Sequence, residues 1–142
     1  MLGRKSFTPG EVDGARASVA RQVAAYRDVR KALGAKASGP AFDALETEFF
    51  KGMVLVLDRP FVHRVRLVTG KDTNALNEVE LLVDSLMNNG GVFDAGTVVK
   101  YVQAESVLGI EEGQAIRLSA DDFDRLADAF FTDLDELYVE GR

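Results

Sequence analysis

The chain has no cysteine and no tryptophan, a single histidine and three prolines in 142 residues. Without cysteine there are no disulfides, no thiolate metal ligands and no cysteine nucleophile. Such a composition agrees with a reducing, cytoplasmic setting. A lone histidine excludes any multi-histidine metal centre, and no EF-hand spacing occurs, so no metal and no cofactor are expected. The longest unbroken apolar run, Met53 to Leu57, is far too short for a membrane span. The opening MLGRKSFTPGE has no apolar segment of the kind found in secretory signals. Gly70-Lys71 has Val65, not glycine, five residues upstream, so no phosphate-binding P-loop forms there. Neither a G-x-G-x-x-G nor a G-x-S-x-G motif is present.

What is present is ordinary for one folded domain: 46% hydrophobic and 28% charged residues. A chain of this length buries one real core without staples. The net charge of −6 conceals a pattern. Residues 1–36 carry +5, 37–58 carry −3, 59–71 carry +4, 72–105 carry −5 and 106–142 carry −7. Basic elements early and acidic elements late are read as faces that dock on each other. A dock between the basic 59–71 segment and the acidic last helix is the specific expectation.

The pattern predicts a mainly helical single domain over residues 1–142, with 1–8 as a flexible N-terminal tail. Thr8-Pro9-Gly10-Glu11 reads as an N-cap, a first-turn proline and a capping-box acid. Val12, Ala15, Val19, Val23 and Tyr26 follow a helical stripe to Leu33, and Gly34 ends it. A second helix opens at Ser38 and Pro40. Phe42, Leu45, Phe49, Met53, Leu57 and Phe61 line one face, and Phe50 and Val54 a second. It is expected to continue past Pro60 with a kink. Asn74 caps a third helix that stops at Asn88-Asn89-Gly90-Gly91. Residues 97–104 (TVVKYVQA) and 114–118 (QAIRL) are rich in strand formers and are expected to pair as a small antiparallel β-ribbon between the third and fourth helices. Ser119 then starts a last helix with the cleanest stripe in the chain, Phe123 to Leu137. Consecutive aromatics, Phe49-Phe50 and Phe130-Phe131, cannot both face inward on a helix of ordinary width. One member of each pair is left to face a second chain, which motivates a homodimer.

The chemistry-bearing residues cluster between positions 63 and 78: His63, Arg64, Arg66, Lys71, Asp72, Asn74, Asn77 and Glu78. They support two readings. In the first they build a structural corner, with Arg64 paired to Glu78, Asn74 and Asn77 as cap and turn residues, and the cations of the second helix's last turns facing its negative end. In the second they bind a small anionic ligand at the free N–H groups that start the third helix, with His63 as acid or base. Thr69 and Thr73 are the only nearby hydroxyls, and neither sits in a nucleophile motif, so whether the protein is an enzyme stays open. Arg16, Arg21, Arg27, Arg30 and Lys31 decorate the first helix without any nucleic-acid-binding signature. No nucleic acid and no membrane partner are expected. The leading reading is a cytoplasmic binding or protein-interaction module that self-associates. The alternative is a small enzyme or sensor for an anionic metabolite at residues 63–78.

The string FVHR…GKDTNALNEVELLVDSLMNNGGV…VKY…SVLGIEEGQAIRLSADDFDRLADAFF resembles a family of small uncharacterised bacterial proteins, chiefly actinobacterial. The resemblance covers about residues 45–137 and rests on Phe61, His63 and Arg64, on Gly70-Lys71-Asp72, on Leu76-Asn77-Glu78-Val79, and on the strand–helix unit around Ile116-Arg117-Leu118. Asn74-Ala75 departs from an Asn-Pro in the family pattern, which touches only the turn. The resemblance implies a grouping and no activity.

Overall fold

The structure, a computed structural model, describes residues 3–64, 73–139 and 141. Four α-helices build it: α1 Pro9–Leu33, α2 Pro40–Asp58, α3 Ala75–Asn88 and α4 Ala120–Tyr138. The Thr8 hydroxyl accepts from the Glu11 N–H, so it caps α1 as its sequence position implies. The Glu11 carboxylate takes the Arg4 guanidinium in a two-pronged ion pair. Ser119 and Asp122 close a full capping box on α4. Among the described residues no helix is long and apolar enough to cross a membrane.

Pro60 ends α2. The helix stops at Asp58, and Arg59–Phe61 form a single 3-10 turn. Proline lacks the N–H that an α-helix needs and its ring crowds the preceding turn. The expected kinked continuation therefore does not run through residues 59–64, and 65–68 lie outside the described residues. Arg64 is not on the last turn of a helix.

The expected β-ribbon is absent: among the described residues no strand forms, and pairing amounts to isolated bridges. Residues 114–116 do pair, but with 91–93 rather than 97–104. Phe93 N–H donates to the Gln114 carbonyl and Ile116 N–H to that of Gly91, both at 2.9 Å. Gly91 and Gly113, at φ 80° and 84°, turn the chain away at once on either side. Strand propensity measures fit to a neighbouring strand, and none lies beside 97–102. That segment runs through bends into a 3-10 turn at Gln103–Glu105.

The core is one cluster in which α2 and α4 are central. Phe50, Val54, Leu57, Leu76, Val79, Leu82, Phe123, Leu126, Phe130 and Leu134 are essentially sealed from solvent. Phe130 and Phe131 are both buried, because α4 is covered from two sides. Phe61 packs near both rings, and the Arg16 guanidinium of α1 lies 5.0 Å over the Phe131 ring. Phe49 is half-buried and stacks on Tyr26 of α1. The paired aromatics thus have partners within the chain and give no reason for a second copy.

Residues 3–8, read from sequence as a flexible tail, pack on the fold. Phe7 is buried edge-on against Phe61, 5.0 Å between ring centres, and its N–H donates to the Tyr138 carbonyl. Arg4 N–H donates to the His63 carbonyl at 2.7 Å. A side chain at Gly3 would stand 2.8 Å from that same carbonyl oxygen, so the backbones approach as closely as they do only because position 3 has none.

Candidate functional site

Arg64 is the centre of the corner after α2. Its side chain is fully buried. Nη1 donates to the Phe61 carbonyl at 2.9 Å and to Asp58 Oδ1 at 3.4 Å; Nη2 donates to the Leu76 carbonyl at 3.2 Å. The Glu80 carboxylate stands 4.0 Å from Nη2. A buried guanidinium must be paired and hydrogen-bonded to be tolerated. Arg64 meets that need by tying the end of α2, the 3-10 turn and the first turn of α3 together. Its ionic partners are Asp58 and Glu80, not Glu78.

Glu78 has a different task. It is buried on α3, and its two oxygens accept the N–H groups of Val107 and Leu108 at 2.8 and 3.0 Å. It clamps the loop before Ile110 onto the helix. Burial pushes its carboxyl above the ordinary carboxylate range, while the two N–H bonds and the nearby Arg125 pull the other way.

The start of α3 is already occupied. Asn74 Oδ1 accepts the Asn77 N–H at 2.9 Å, and Asp133 of α4 accepts the Ala75 N–H at 2.7 Å. Helix N-termini attract anions through these free donors. Here the anion is the chain's own Asp133 carboxylate. Asn77 is buried in the same corner. His63 is exposed, and its backbone carbonyl accepts the Arg4 N–H. Arg66, Lys71 and Asp72 lie outside the described residues.

The structure therefore ties Asn74 to Asn77, Arg64 to Asp58 and two backbone carbonyls, and Glu78 to the 107–108 backbone, while the buried Arg64 Nε has no hydrogen-bond partner among the described residues and His63 stands outside these contacts. Beside Asn74 and Glu78 lies a pocket of about 10 Å³, also walled by Thr73, Lys100, Tyr101, Val102, Glu105 and Ser106. That is room for roughly one water molecule. Among the described residues no three His, Cys, Asp or Glu side chains are grouped to hold a metal ion. Sequence reasoning missed Asp58, Asp133 and the 107–108 backbone. Asp133 is one of many acids on α4, and no local signal marks it as a cap for another helix.

The charged faces of the described helices also pair. The acids of α4 pair with the arginines of α1: Arg16 with Asp135 at 2.8 Å, and Arg27 with Asp121 and Asp124 at 3.1 and 2.5 Å. Early basic and late acidic elements do dock, with α1 as the basic partner among the described residues; in the 59–71 segment Arg64 is taken up by Asp58, and residues 65–71 lie outside the described residues.

An open apolar surface lies elsewhere among the described residues. A groove of about 810 Å³ runs between the end of α2 and α3, walled by Leu55, Val56, Pro60, Val62, Val83 and Met87, with Asp58 and Arg59 at its edge. Met87 is 67% exposed, and Leu45 and Val56 on the outward side of α2 are 57% and 37% exposed. Compared with known proteins, the chain matches no family model, no curated protein and no solved structure.

Proposed function

We propose that this chain is a cytoplasmic, bacterial protein-interaction module that self-associates through the outward face of α2 and the adjoining α2–α3 groove. The observation that carries this reading is the apolar α2–α3 groove with Val56 and Met87 exposed in its wall, and Leu45 exposed further back on the outward side of α2. Apolar surface gathered around a groove marks contact sites more than scattered exposed residues do. The polar residues between 63 and 78 support the same reading from the other side. Arg64, Asn74 and Glu78 are engaged in holding the fold, and the Ala75 and Asn77 N–H groups that an anionic metabolite would use at α3 are taken by Asp133 and Asn74.

Sedimentation equilibrium across a dilution series tests it. A reversible monomer–dimer equilibrium in the micromolar range is expected, weakened by Met87→Glu. A strict monomer at high micromolar concentration overturns the reading. A melting temperature raised by phosphate or citrate would favour the anion-binding alternative instead.

A further inference from the structure

Gly52 sits in the middle of α2, in ordinary helical conformation, on the exposed side. Nothing lies within 4 Å of where its Cβ would be. A glycine inside a helix is unfavourable relative to alanine, and nothing among the described residues requires one here. A second helix lying close against that point would.

The residues around it complete the pattern. At 100° per residue, Leu45, Glu48, Gly52, Val56 and Arg59 fall on one side of α2, opposite the buried Phe50, Met53, Val54 and Leu57. We propose that α2 docks antiparallel on α2 of a second copy of this chain, with the two-fold axis passing level with Met53 and Val54 and Gly52 giving the close approach. This rests on the self-association reading and names its geometry. In that register Glu48 of one copy faces the partner's Arg59, twice by symmetry. Gly52 faces the partner's Leu55, and Leu45 comes level with the 3-10 turn that follows the partner's α2.

The charges choose the occupant. An isologous contact must be self-complementary, and a face with Glu48 toward one end and Arg59 at the other is so only when antiparallel. A parallel pair would set Glu48 on Glu48 and Arg59 on Arg59. Glu48 is 71% exposed, so its contact with Lys51 leaves it reachable. Leu45 supplies the knob for the groove, since Val62 and Pro60 are part of its wall. Two helices packed at a shallow angle of about 20° stay in contact over this length.

Sedimentation equilibrium of the full chain and five variants tests the register. Gly52→Leu and Leu45→Glu put their new atoms into solvent in the isolated chain, so both should fold, with unchanged circular dichroism. Each should weaken the dimer by more than about tenfold. Glu48→Arg and Arg59→Glu should each weaken it severalfold, and the double swap should restore it. A wild-type dimer whose affinity is untouched by Gly52→Leu and Leu45→Glu overturns this interface and leaves self-association standing. A double swap that fails to recover what the single swaps lose overturns the register. A wild-type monomer removes this proposal together with the reading beneath it.

Discussion

The corner around Arg64 and the seam between α1 and α4 both pair cations with acids, and they do so in opposite surroundings. At the seam, Arg27 meets Asp121 and Asp124 with all three side chains more than 40% exposed. At the corner, the Arg64 side chain is fully buried beside Asp58. Water competes for the seam at every moment, and salt screens it. The corner has no water to fall back on, so each group is held by geometry. The same residue types therefore carry very different stability, and burial rather than charge decides which. A cluster of charges at a corner looks like a binding site in a sequence. In this fold the buried ones are fasteners.

Arg64→Ala should sharpen that contrast most. It leaves Asp58 and Glu80 facing a cavity and takes the guanidinium donors from the Phe61 and Leu76 carbonyls, the first of which keeps the N–H of residue 64. Removing one partner of a buried pair costs about 3–5 kcal/mol, a large share of the roughly 5–15 kcal/mol a domain has. Urea denaturation measures it. A loss below about 1 kcal/mol would place the corner in the same class as the seam.

Glu78→Gln comes next. The amide offers one acceptor where two N–H groups converge, and its own NH₂ meets the other. A buried donor left without a partner costs about 1–3 kcal/mol. Hydrogen exchange at Val107 and Leu108 should speed up well before global unfolding, since the clamp on that loop is what is lost. Unchanged protection at both amides would show that the loop is held by something else.

Tyr26 tests the α1–α2 contact through pH. Its hydroxyl donates to Glu46 at 2.7 Å, and burial, then that hydrogen bond and the Glu46 charge, push the phenol up to about 12. The unfolded chain releases this proton near its ordinary value of 10, while the folded chain keeps it. The unfolded state then binds fewer protons, so stability falls as pH climbs from 10 towards 12. Below pH 10 the contribution is constant. Tyr26→Phe should flatten that alkaline loss; an identical slope in both proteins would mean another group is responsible.

The smallest effect belongs to the seam. Arg27→Ala should cost at most about 1 kcal/mol, with the difference from wild type shrinking as salt is added. A salt-independent loss of several kcal/mol would erase the distinction between the two regions.

Much of the helical framework was legible before any coordinates. Thr8-Pro9 opens α1, Asn74 caps α3 and Ser119 caps α4, each at the residue its chemistry implies. Caps and stripes are readable because donor and acceptor lie within four residues of each other. The misread β-ribbon shows the limit. TVVKYV has the composition of a strand, but a strand exists only beside another, and the chain sets 91–93 against 114–116 instead. Leu45 and Met87 fall on predicted apolar stripes and yet stand exposed, since periodicity tells which side is apolar and not whether anything covers it.

The sequence by itself determined where α1, α3 and α4 begin, because those capping contacts are local and follow from backbone geometry and a few side-chain oxygens. Only the tertiary structure decided what the charged residues do. Asp133 meets the Ala75 N–H across 58 positions, and Glu78 reaches the 107–108 backbone across 29 and 30. Those meetings exist only once the apolar stripes of the four helices have closed on one another. Burial then turns an otherwise solvated carboxylate or guanidinium into a group that must be satisfied.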